Sequence, residues 1–553
     1  MNSVRDTLRA AVERARTNAV VSGTLPVSQT PLPPVSIQRP ARAEHGDYAT
    51  NAAMQLAPTA RMPPMRIAEA LVAELKLPEA MGSAEVAPPG FINIRLEAGW
   101  VASQVGAMLS AGAGYGRVPV GRPRSVNVEF VSANPTGPLT LGNARGAFVG
   151  DLLCRVLEAV GHRVTREYYF NDFNAQVRNL GLSVQARRTG GPIPEDGYHG
   201  EYVAELAARL PDDVWAAATT NGADAGEVLG RWASERVRAG IEESLDRLGV
   251  HFDVWTTEGS LYGDGWVERA VGELRKAGHV YEQDGAVWFR STAFGDDKDR
   301  VVYRSNGQPT YFASDIGYLA QKFSRGFDEL IYLWGEDHHG TVARNRAAAR
   351  ALGLDPESVH WLLMAWVRFV RDGTEIGMSK RAGEFVTLDE LLAEIGPDAA
   401  RWFFGSRATT TGIDFDIELA KRQGNENPVY YVQYAHARCC SILRNARERG
   451  VKASTADAAA LLRHPAEQAL IRELLRLPEV VSDAAARRET HEVPKYCLEV
   501  AGLFSQFYRD CRVLTDDPEE ARFSGARLAL VDAVRLVVAN TLGTLGIAAP
   551  EMM

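Results

Sequence analysis

The stretch from Ser125 to Val160 constrains the fold more than any other part of the sequence. Ser125–Val131 (SVNVEFV) is a predicted strand, and the proline and glycine residues of Asn134–Gly142 predict a turn after it. Apolar side chains spaced three and four residues apart, from Val149 to Val160, then predict a helix. A strand, a glycine-containing turn and a helix form the opening unit of a nucleotide-binding α/β sheet.

A second strand–helix unit appears later in the chain. Glu329–Trp334 (ELIYLW) is a predicted strand, and Gly335 separates it from a predicted helix through Ala343–Leu352. Between the two units, Gln176–Gly249 has a mostly helical pattern, broken by a loop at Gly190–Gly200. We therefore expect a Rossmann-like parallel sheet with a helical insertion between its two halves.

The segments on either side of these units predict two further domains, since 553 residues are too many for one core. Before Ser125 we expect a small α/β domain, with a helix over residues 1–20, an alanine-rich helix around Tyr48–Leu56 and a strand at Gly90–Leu96. From Pro428 onwards the pattern predicts a helical bundle. The predicted domains are residues 1–115, 116–424 with the insertion around 176–249, and 425–553.

Charge and cysteine content limit the class of protein. The chain has 61 lysine and arginine residues against 70 aspartate and glutamate residues, and this net charge of −9 counts weakly against a nucleic-acid binder. Its five cysteines are scattered, form no CxxC pair and suit a reducing compartment as core thiols. The N-terminus lacks the apolar core of a signal peptide, and no run of 18 apolar residues occurs, so we expect a cytoplasmic protein that does not span a membrane.

The turn Ser132–Asn143 is the first candidate for chemistry. A turn that leads into a helix N-terminus offers free backbone N–H groups and the positive end of the helix dipole, which together suit a phosphate group. Gly142 would let a nucleotide approach the backbone closely. The residues alone leave an ordinary strand-to-helix turn equally open.

The loop Gly377–Gly383 (GMSKRAG) is the second candidate, because its Lys380–Arg381 pair can neutralise charge that builds on a polyphosphate. A three-residue match such as MSK is weak by itself. Asp337-His338-His339 follows the second predicted strand, but adjacent histidines on a helix point in different directions. We therefore favour hydrogen bonding to a nucleotide or helix capping there, and predict no metal ion bound by protein ligands.

Carboxylates beside aromatic residues are the third candidate. Asp253 and Glu258 lie near Trp255, and Tyr311 precedes Asp315. Planar carboxylates and an aromatic wall are the partners that a guanidinium ligand prefers. The alternative is that these acids are charges on the protein surface, and for any one of them this is the more common case.

The helix that follows residue 427 is basic. It carries four arginines opposed by one glutamate, namely Arg438, Arg444, Arg447, Arg449 and Glu448. Residues 427–553 as a whole balance 16 lysines and arginines against 16 aspartates and glutamates. A neutral bundle with one basic helix is a candidate for docking RNA, and a solvated helix face remains the alternative.

Short segments along nearly the whole chain carry a resemblance to a known family. In chain order they are GDYATNAA, PPGFINIRL, SANPTGP with TLGN, REYYFNDFNAQVRNLG, DVWTTEGSLY, PTYFASDIGYL, GEDHHG, MSKRAG, NENPVYYVQYAHAR and LGIAAPEMM. Together they resemble the arginyl branch of the class I aminoacyl-tRNA synthetases, in which TLGN lies at the HIGH motif and MSKRAG at the KMSKS motif. No single segment is decisive, but this many in order are specific.

The resemblance implies an enzyme that activates L-arginine with Mg²⁺–ATP and transfers it from arginyl-adenylate to tRNA(Arg), releasing pyrophosphate and AMP. No protein nucleophile is needed, and Lys380 would stabilise the pyrophosphate leaving group. The catalytic residues that it implies are Lys380, Thr140 and Asn143. The residues that it implies at the ATP site are Pro135, Gly137, Leu139, Thr140, Gly142, Asn143, His338, Met378, Ser379 and Lys380.

The same resemblance implies how arginine and tRNA are bound. Asn134, with Ser132, would hold the α-amino group of arginine, Glu258 and Asp315 would face its positive groups, and Tyr311 would line the pocket. The N-terminal domain would touch the tRNA elbow. The C-terminal bundle would bind the anticodon, through Tyr430, Tyr434, Arg438, Arg444 and Met553. Enzymes of this kind usually need bound tRNA before they activate arginine, and are usually monomeric.

Two motifs depart from the family pattern. Thr140 and Asn143 stand where the HIGH motif has its histidines, and Gly377 replaces the first lysine of KMSKS. Neither Thr140 nor Asn143 can carry an imidazolium charge, so ATP binding would depend more on backbone amides, Lys380 and Arg381.

Three alternatives follow from these departures and from the fold. The missing histidines favour a tRNA-binding paralogue that has lost catalysis. A class I synthetase for another amino acid is the second alternative, and the acids Glu258 and Asp315 argue against it because they suit a cationic substrate. The third is a small-molecule adenylate-forming ligase, for which a long C-terminal helical domain makes little sense.

Overall fold

A computed structural model describes residues 3–27, 31–172, 175–371, 373–375 and 387–553. Its first elements are α1 (Val4–Val21), β1 (Tyr48–Thr50), α2 (Ala52–Ala60), α3 (Pro64–Glu74), β2 (Gly82–Ala87), β3 (Phe91–Leu96) and α4 (Ala98–Ala111). The three strands form an antiparallel sheet of order β1-β3-β2. The predicted α/β character is confirmed, but the helix expected from Tyr48 begins only at Ala52, because residues 48–50 pair with β3.

The next elements build the central part of the molecule. They are β4 (Ser125–Glu129), α5 (Leu141–Ala159), β5 (Arg163–Phe170), α6 (Ala175–Thr189), α7 (Glu201–Ala208), α8 (Asp212–Thr219), α9 (Ala225–Arg247), β6 (Val254–Thr257), α10 (Glu258–Gly263), α11 (Trp266–Lys276), β7 (Val280–Gln283), β8 (Ala286–Phe289), β9 (Arg300–Tyr303), α12 (Tyr311–Ser324), β10 (Glu329–Gly335), α13 (His339–Ala351), β11 (Val359–Met364), β12 (Val367–Arg371), β13 (Thr374–Glu375), α14 (Leu388–Gly405), β14 (Ile413–Asp416) and α15 (Ile417–Lys421).

Five of these strands form a parallel sheet of order β11-β10-β4-β5-β6. The chain runs outward from β4 through β5 and β6, and then continues on the other side through β10 and β11. The strand order therefore reverses between β4 and β10, and doubly wound folds bind ligands at the carboxyl ends of strands where such a reversal occurs. The Rossmann-like sheet is confirmed.

The helical stretch predicted over Gln176–Gly249 is confirmed as α6 to α9. Its expected place between the two halves of the sheet is wrong, because it connects β5 to β6 within the first half. The segment that separates the halves instead contains α10 to α12 and a small antiparallel sheet of order β7-β8-β9. The sequence pattern of β6, only four residues long, gave no sign of this strand.

Helix α5 lies unusually close to the central strand. A Cβ placed on Gly150 would come within 2.3 Å of the ring of Phe130, so only glycine allows this approach. Most of the helix is buried, because it packs on the sheet on one side and on α14 and the C-terminal helices on the other. The tight packing fixes the N-terminus of α5 at the reversal point of the sheet.

The C-terminal part is helical, as predicted. It contains α16 (Pro428–Glu448), α17 (Ala458–Leu461), α18 (Pro465–Leu474), α19 (Leu477–Arg487), α20 (Glu492–Asp510), α21 (Pro518–Ala521) and α22 (Ser524–Leu545). By length and composition α22 is apolar enough to cross a membrane, but Leu530, Val534 and Val537 on it are fully buried inside the bundle. All five cysteines are buried, as expected for core thiols.

Candidate active site

A cleft of about 980 Å³ opens at the carboxyl ends of β4 and β10. Its walls come from the turn after β4, from β5, from α12, from the segment after β10 and from residues 364–367. The predicted site residues that line it are Ser132, Asn134, Gly142, Asn143, Tyr311, Asp315 and His338. Three segments that are far apart in the sequence therefore meet in one cleft.

The backbone is strained where β4 leads into this cleft. Val131 and Ser132 have φ values of 67° and 42°, and a left-handed backbone is unfavourable for a β-branched valine. The Ser132 hydroxyl donates to Oε1 of Glu129 at 3.2 Å and accepts from the backbone N–H of Tyr169 at 3.1 Å. Such strain persists only where the surroundings determine it, and it clusters at functional sites.

Asn134 projects into solvent at the rim of the cleft. Its Nδ2 donates to Oε1 of Gln176, the second residue of α6, at 2.7 Å. Within the described ranges the carbonyl oxygen Oδ1 of Asn134 accepts no hydrogen bond, and such an acceptor suits an ammonium group.

Thr140 and Asn143 form the cap of α5. The backbone N–H and the hydroxyl of Thr140 both donate to Oδ1 of Asn143, at 3.1 and 3.0 Å. Thr140 is buried, whereas Asn143 lines the cleft. The cap therefore occupies the two motif positions with groups that satisfy each other. The backbone N–H of Asn143 also donates to the Thr140 carbonyl at 2.9 Å, and Gly142 of the same first turn lines the cleft.

The other predicted ATP-site residues divide into two sets. Pro135, Gly137 and Leu139 are buried behind the cleft wall. Met378, Ser379 and Lys380 lie outside the described residues.

Glu258, the first residue of α10, is a buried carboxylate behind the cleft, 4% exposed. The Ser314 hydroxyl donates to its Oε1 at 2.5 Å, and Oε2 is buried with no hydrogen-bond partner among the residues that the structure describes. Burial, together with the negative charge of Asp315, raises the pKa of Glu258 to about 7, against the opposing effects of Ser314 and of the Tyr169 hydroxyl. A buried acceptor without a donor is costly, so this oxygen is suited to a cationic ligand.

Asp315 is partly exposed and lines the cleft one helical turn after Tyr311, whose side chain is 60% exposed. The removal of water by the surrounding protein and the charge of Glu129 raise the pKa of Asp315 to about 6. Arg344, 3.6 Å away, opposes this rise in part. A nearby cation would therefore stabilise the ionised form of both predicted acids.

A buried ion pair below the cleft was not predicted. Nζ of Lys322 lies 2.6 Å from Oε2 of Glu129, fully buried, between the rings of Tyr318 and Tyr332 at 4.5 and 4.0 Å from their centroids. The signal that could have found it is the spacing of Asp315, Tyr318 and Lys322, which places all three on one face of α12. Of these three residues, only Asp315 was among the predicted site residues.

His338 is exposed at the end of β10, and its ring lies 5.6 Å from that of Trp334. In the described ranges no group of three or more His, Cys, Asp or Glu side chains is arranged to hold a metal ion.

The predicted tRNA-binding residues lie along α16 and at the chain end. The rings of Tyr430 and Tyr434 are stacked 6.4 Å apart, and the Arg438 guanidinium donates to the Tyr434 hydroxyl at 2.6 Å. Arg444 donates to the backbone carbonyl of Glu551 at 3.2 Å, which holds the C-terminal segment against α16. Met553, the last residue, is 51% exposed. These residues form one aromatic and cationic stripe, which we call the α16 stripe (Tyr430, Tyr434, Arg438 and Arg444).

Family models cover most of the chain. The arginyl tRNA synthetase N terminal domain matches residues 2–96, and the class I (R) tRNA synthetase catalytic domain matches residues 104–189 and 225–403. The DALR anticodon binding domain matches residues 432–553.

Individual relatives agree with these models. The arginine–tRNA ligases of Moorella thermoacetica and Heliobacterium modesticaldum are 46% and 44% identical over 568 residues, with 100% of both chains covered in each case. The structure of Thermus thermophilus arginyl-tRNA synthetase matches with a TM-score of 0.76 at 24% identity, also over 100% of both chains. Since models and relatives extend from end to end, the chain belongs to the arginyl-tRNA synthetase family.

Proposed function

We propose that this protein joins L-arginine to tRNA(Arg) through an arginyl-adenylate. In the first step the arginine carboxylate attacks the α-phosphorus of ATP and pyrophosphate leaves. In the second step the 2′-hydroxyl of the terminal adenosine attacks the activated carbonyl and AMP leaves. The observation that carries the substrate is the Glu258 carboxylate, whose Oε2 is buried without a partner among the described residues and whose neighbour Asp315 is also acidic.

The arginine side of the cleft holds the amino acid at both ends. Glu258 and Asp315 would receive the guanidinium, because two carboxylates give it planar hydrogen-bond partners, and the exposed ring of Tyr311 would cover it. Asn134 and Ser132, at the strained turn, would receive the α-amino group. No protein nucleophile takes part, so the rate depends on holding the arginine carboxylate in line with the phosphate.

The ATP side is the N-terminus of α5. The positive end of its dipole favours the phosphates, with Gly142 and Asn143 at the cleft surface and Thr140 holding the cap. Mg²⁺ would enter with ATP as part of the substrate. Lys380, with Met378 and Ser379, would neutralise the departing pyrophosphate, and His338 would contact the nucleotide from β10.

The tRNA would span the outer domains. Residues 1–115 would contact its elbow and residues 425–553 its anticodon, where the α16 stripe and Met553 offer rings for stacking and guanidinium groups for phosphates. We further propose a monomer that works in the cytoplasm.

Arginine-dependent exchange of pyrophosphate into ATP tests this function. We expect exchange with arginine and tRNA(Arg) together, and none with lysine in place of arginine. Thr140 and Asn143 bind each other where the family has histidines, which favours a catalytically silent tRNA-binding protein as the second candidate. Binding of tRNA with no exchange under any condition would establish that second candidate.

A further inference from the structure

The helical insertion reaches back to the turn after β4 at two points. At the first, Oε1 of Gln176 in α6 accepts from Nδ2 of Asn134 at 2.7 Å. At the second, the hydroxyl of Tyr202 in α7 donates to the backbone carbonyl of Thr136 at 2.7 Å. The two contacts lie on opposite sides of Pro135, so each holds a different part of the turn.

Two glycines leave room for this contact of Tyr202. A Cβ on Gly137 would come within 3.1 Å of the Tyr202 hydroxyl oxygen, and a Cβ on Gly200 within 2.7 Å of its ring. Burial raises the pKa of Tyr202, so the hydroxyl keeps its proton and remains a donor. The two glycines therefore make room for the ring, and the protonated hydroxyl supplies the donor.

Helix α9, at the far end of the insertion, holds Asp389, which follows a residue bonded to the turn after β4. In α9, Oγ of Ser244 donates to Asp389 at 2.7 Å, and Arg247 pairs with the same carboxylate at 2.7 Å. The next residue towards the N-terminus, Leu388, donates its backbone N–H to the carbonyl of Leu139 at 2.9 Å. The insertion thus contacts the turn directly at two residues and indirectly at a third.

We propose that the insertion is a brace with two arms that position the turn for different substrates. The Gln176 arm orients the Asn134 amide, with its oxygen towards the α-amino group of arginine. The Tyr202 arm fixes the backbone at Thr136, four residues before the cap of α5, and so sets where the helix N-terminus meets ATP. Gln176 and Tyr202 are positioning residues, and their assignment rests on the proposed function.

The test separates the two arms by their effects on two Michaelis constants. Pyrophosphate exchange is measured with saturating tRNA(Arg) for the unchanged enzyme, Gln176→Met, Tyr202→Phe and the control Tyr281→Phe. Tyr281 is also half-buried in the central part and donates one hydrogen bond, to Asp299 at 3.1 Å, away from the cleft. Loss of one hydrogen bond corresponds to a change of about fivefold.

We expect Tyr202→Phe to raise the KM for ATP about fivefold and Gln176→Met to raise the KM for arginine about fivefold, each leaving the other KM within about twofold. Tyr281→Phe leaves both constants unchanged. Thermal melting of all variants is recorded, because a purely structural role would lower the melting temperature without this split.

Two results would overturn the brace while leaving the proposed function intact. One is that both variants retain the constants of the unchanged enzyme, and the other is that each variant changes both constants to the same extent. If the unchanged enzyme shows no exchange at all, the proposed function fails first and the brace fails with it.

Discussion

The hydroxyl of Ser314 donates a 2.5 Å hydrogen bond to Oε1 of Glu258, while Oε2 of the same carboxylate is buried without a partner among the described residues. One oxygen is therefore held in place, and the other receives no hydrogen bond from the described part of the chain. Burial raises the pKa of Glu258 to about 7 and that of the nearby Asp315 to about 6. In the free enzyme a share of both groups carries a proton near neutral pH, and a bound guanidinium would favour the ionised forms.

The first prediction concerns the pH dependence of arginine binding. Because only the ionised carboxylates attract the guanidinium, the KM for arginine should rise as pH falls from 8 to 6, while the KM for ATP changes little over the same range. Initial rates of aminoacylation at several pH values, at saturating tRNA, measure both constants. A KM for arginine that stays flat from pH 8 to 6 would show that neither acid titrates in the free enzyme.

The second prediction concerns stability at the same position. A carboxyl group whose pKa is higher in the folded than in the unfolded protein disfavours folding once pH exceeds the unfolded value, and the full cost is reached above the folded value. For Glu258 the window runs from about pH 4 to about pH 7, and the cost at pH 8 is on the order of 3 kcal/mol. Glu258→Gln should therefore raise the melting temperature at pH 8 and leave it unchanged at pH 4.

A matched control for this change is Glu273→Gln, on α11, where the carboxylate is exposed and pairs with Lys276. It should leave the melting temperature unchanged at both pH values. The same Glu258→Gln protein should lose most arginine-dependent exchange, since an amide cannot pair with the guanidinium charge. A melting temperature lowered at pH 8 would contradict the assigned burial of an unpaired carboxylate.

The sequence predicted the parts of this molecule that depend on local pattern. Strands β4 and β10 and helix α5 have apolar spacing that only a buried element explains, and the family motifs placed Asn134 and Asp315 at the cleft. Strand β6 was not predicted, because four residues are too few to show a period and the strand is defined by its pairing with β5.

The polar contacts that hold the site together could not be predicted from the sequence. Glu129 and Lys322 are 193 positions apart, and nothing local shows that a lysine is fully buried between two tyrosines. The hydrogen bond from Asn134 to Gln176 likewise depends on how α6 returns to the turn after β4. Long-range pairing of polar side chains follows from the tertiary fold and has no sequence period of its own.

The third prediction concerns the cap of α5. Asn143→Ala removes the acceptor for both donors of Thr140 and leaves a less well capped helix N-terminus facing ATP. The KM for ATP should therefore rise at least about tenfold. The free energy of unfolding should fall by about 1 kcal/mol, which lowers the melting temperature. Asp517→Ala removes the N-cap of α21, far from the cleft, and is the control for loss of a cap alone. Equal KM values for ATP in the two variants would remove Asn143 from the ATP site.

The fourth prediction concerns the α16 stripe. Arg438 lies 4.7 Å from the centroid of Tyr434 and 5.2 Å from that of Tyr508, so Arg438→Ala removes a cation and loosens two rings that would stack with RNA bases. The KM for tRNA in aminoacylation should rise about tenfold, with the KM for arginine unchanged. Lys495→Ala, which removes an exposed cation from α20, is the matched control. An unchanged KM for tRNA in Arg438→Ala would place the RNA contact elsewhere.

The fifth prediction concerns Arg401, a buried guanidinium that joins three parts of the fold. It pairs with Asp151 of α5 at 2.7 Å, donates to the carbonyl of Leu248 after α9 at 2.8 Å, and donates to that of Leu545 at the end of α22 at 3.2 Å. An arginine that binds the last carbonyls of two helices also interacts favourably with their negative ends.

Arg401→Met should destabilise the protein by about 2–3 kcal/mol, because it leaves those carbonyls without this donor. Asp151 keeps its ion pair with Arg155 at 2.7 Å, so no buried charge is left without a partner. Arg368→Met is the matched control, since Arg368 makes two hydrogen bonds to the exposed Asp414 and its loss should leave the melting temperature nearly unchanged. Thermal melting at pH 7.5 compares the two variants. Equal shifts would mean that the junction of α5, α9 and α22 is held by apolar packing, with Arg401 contributing no more than a surface charge.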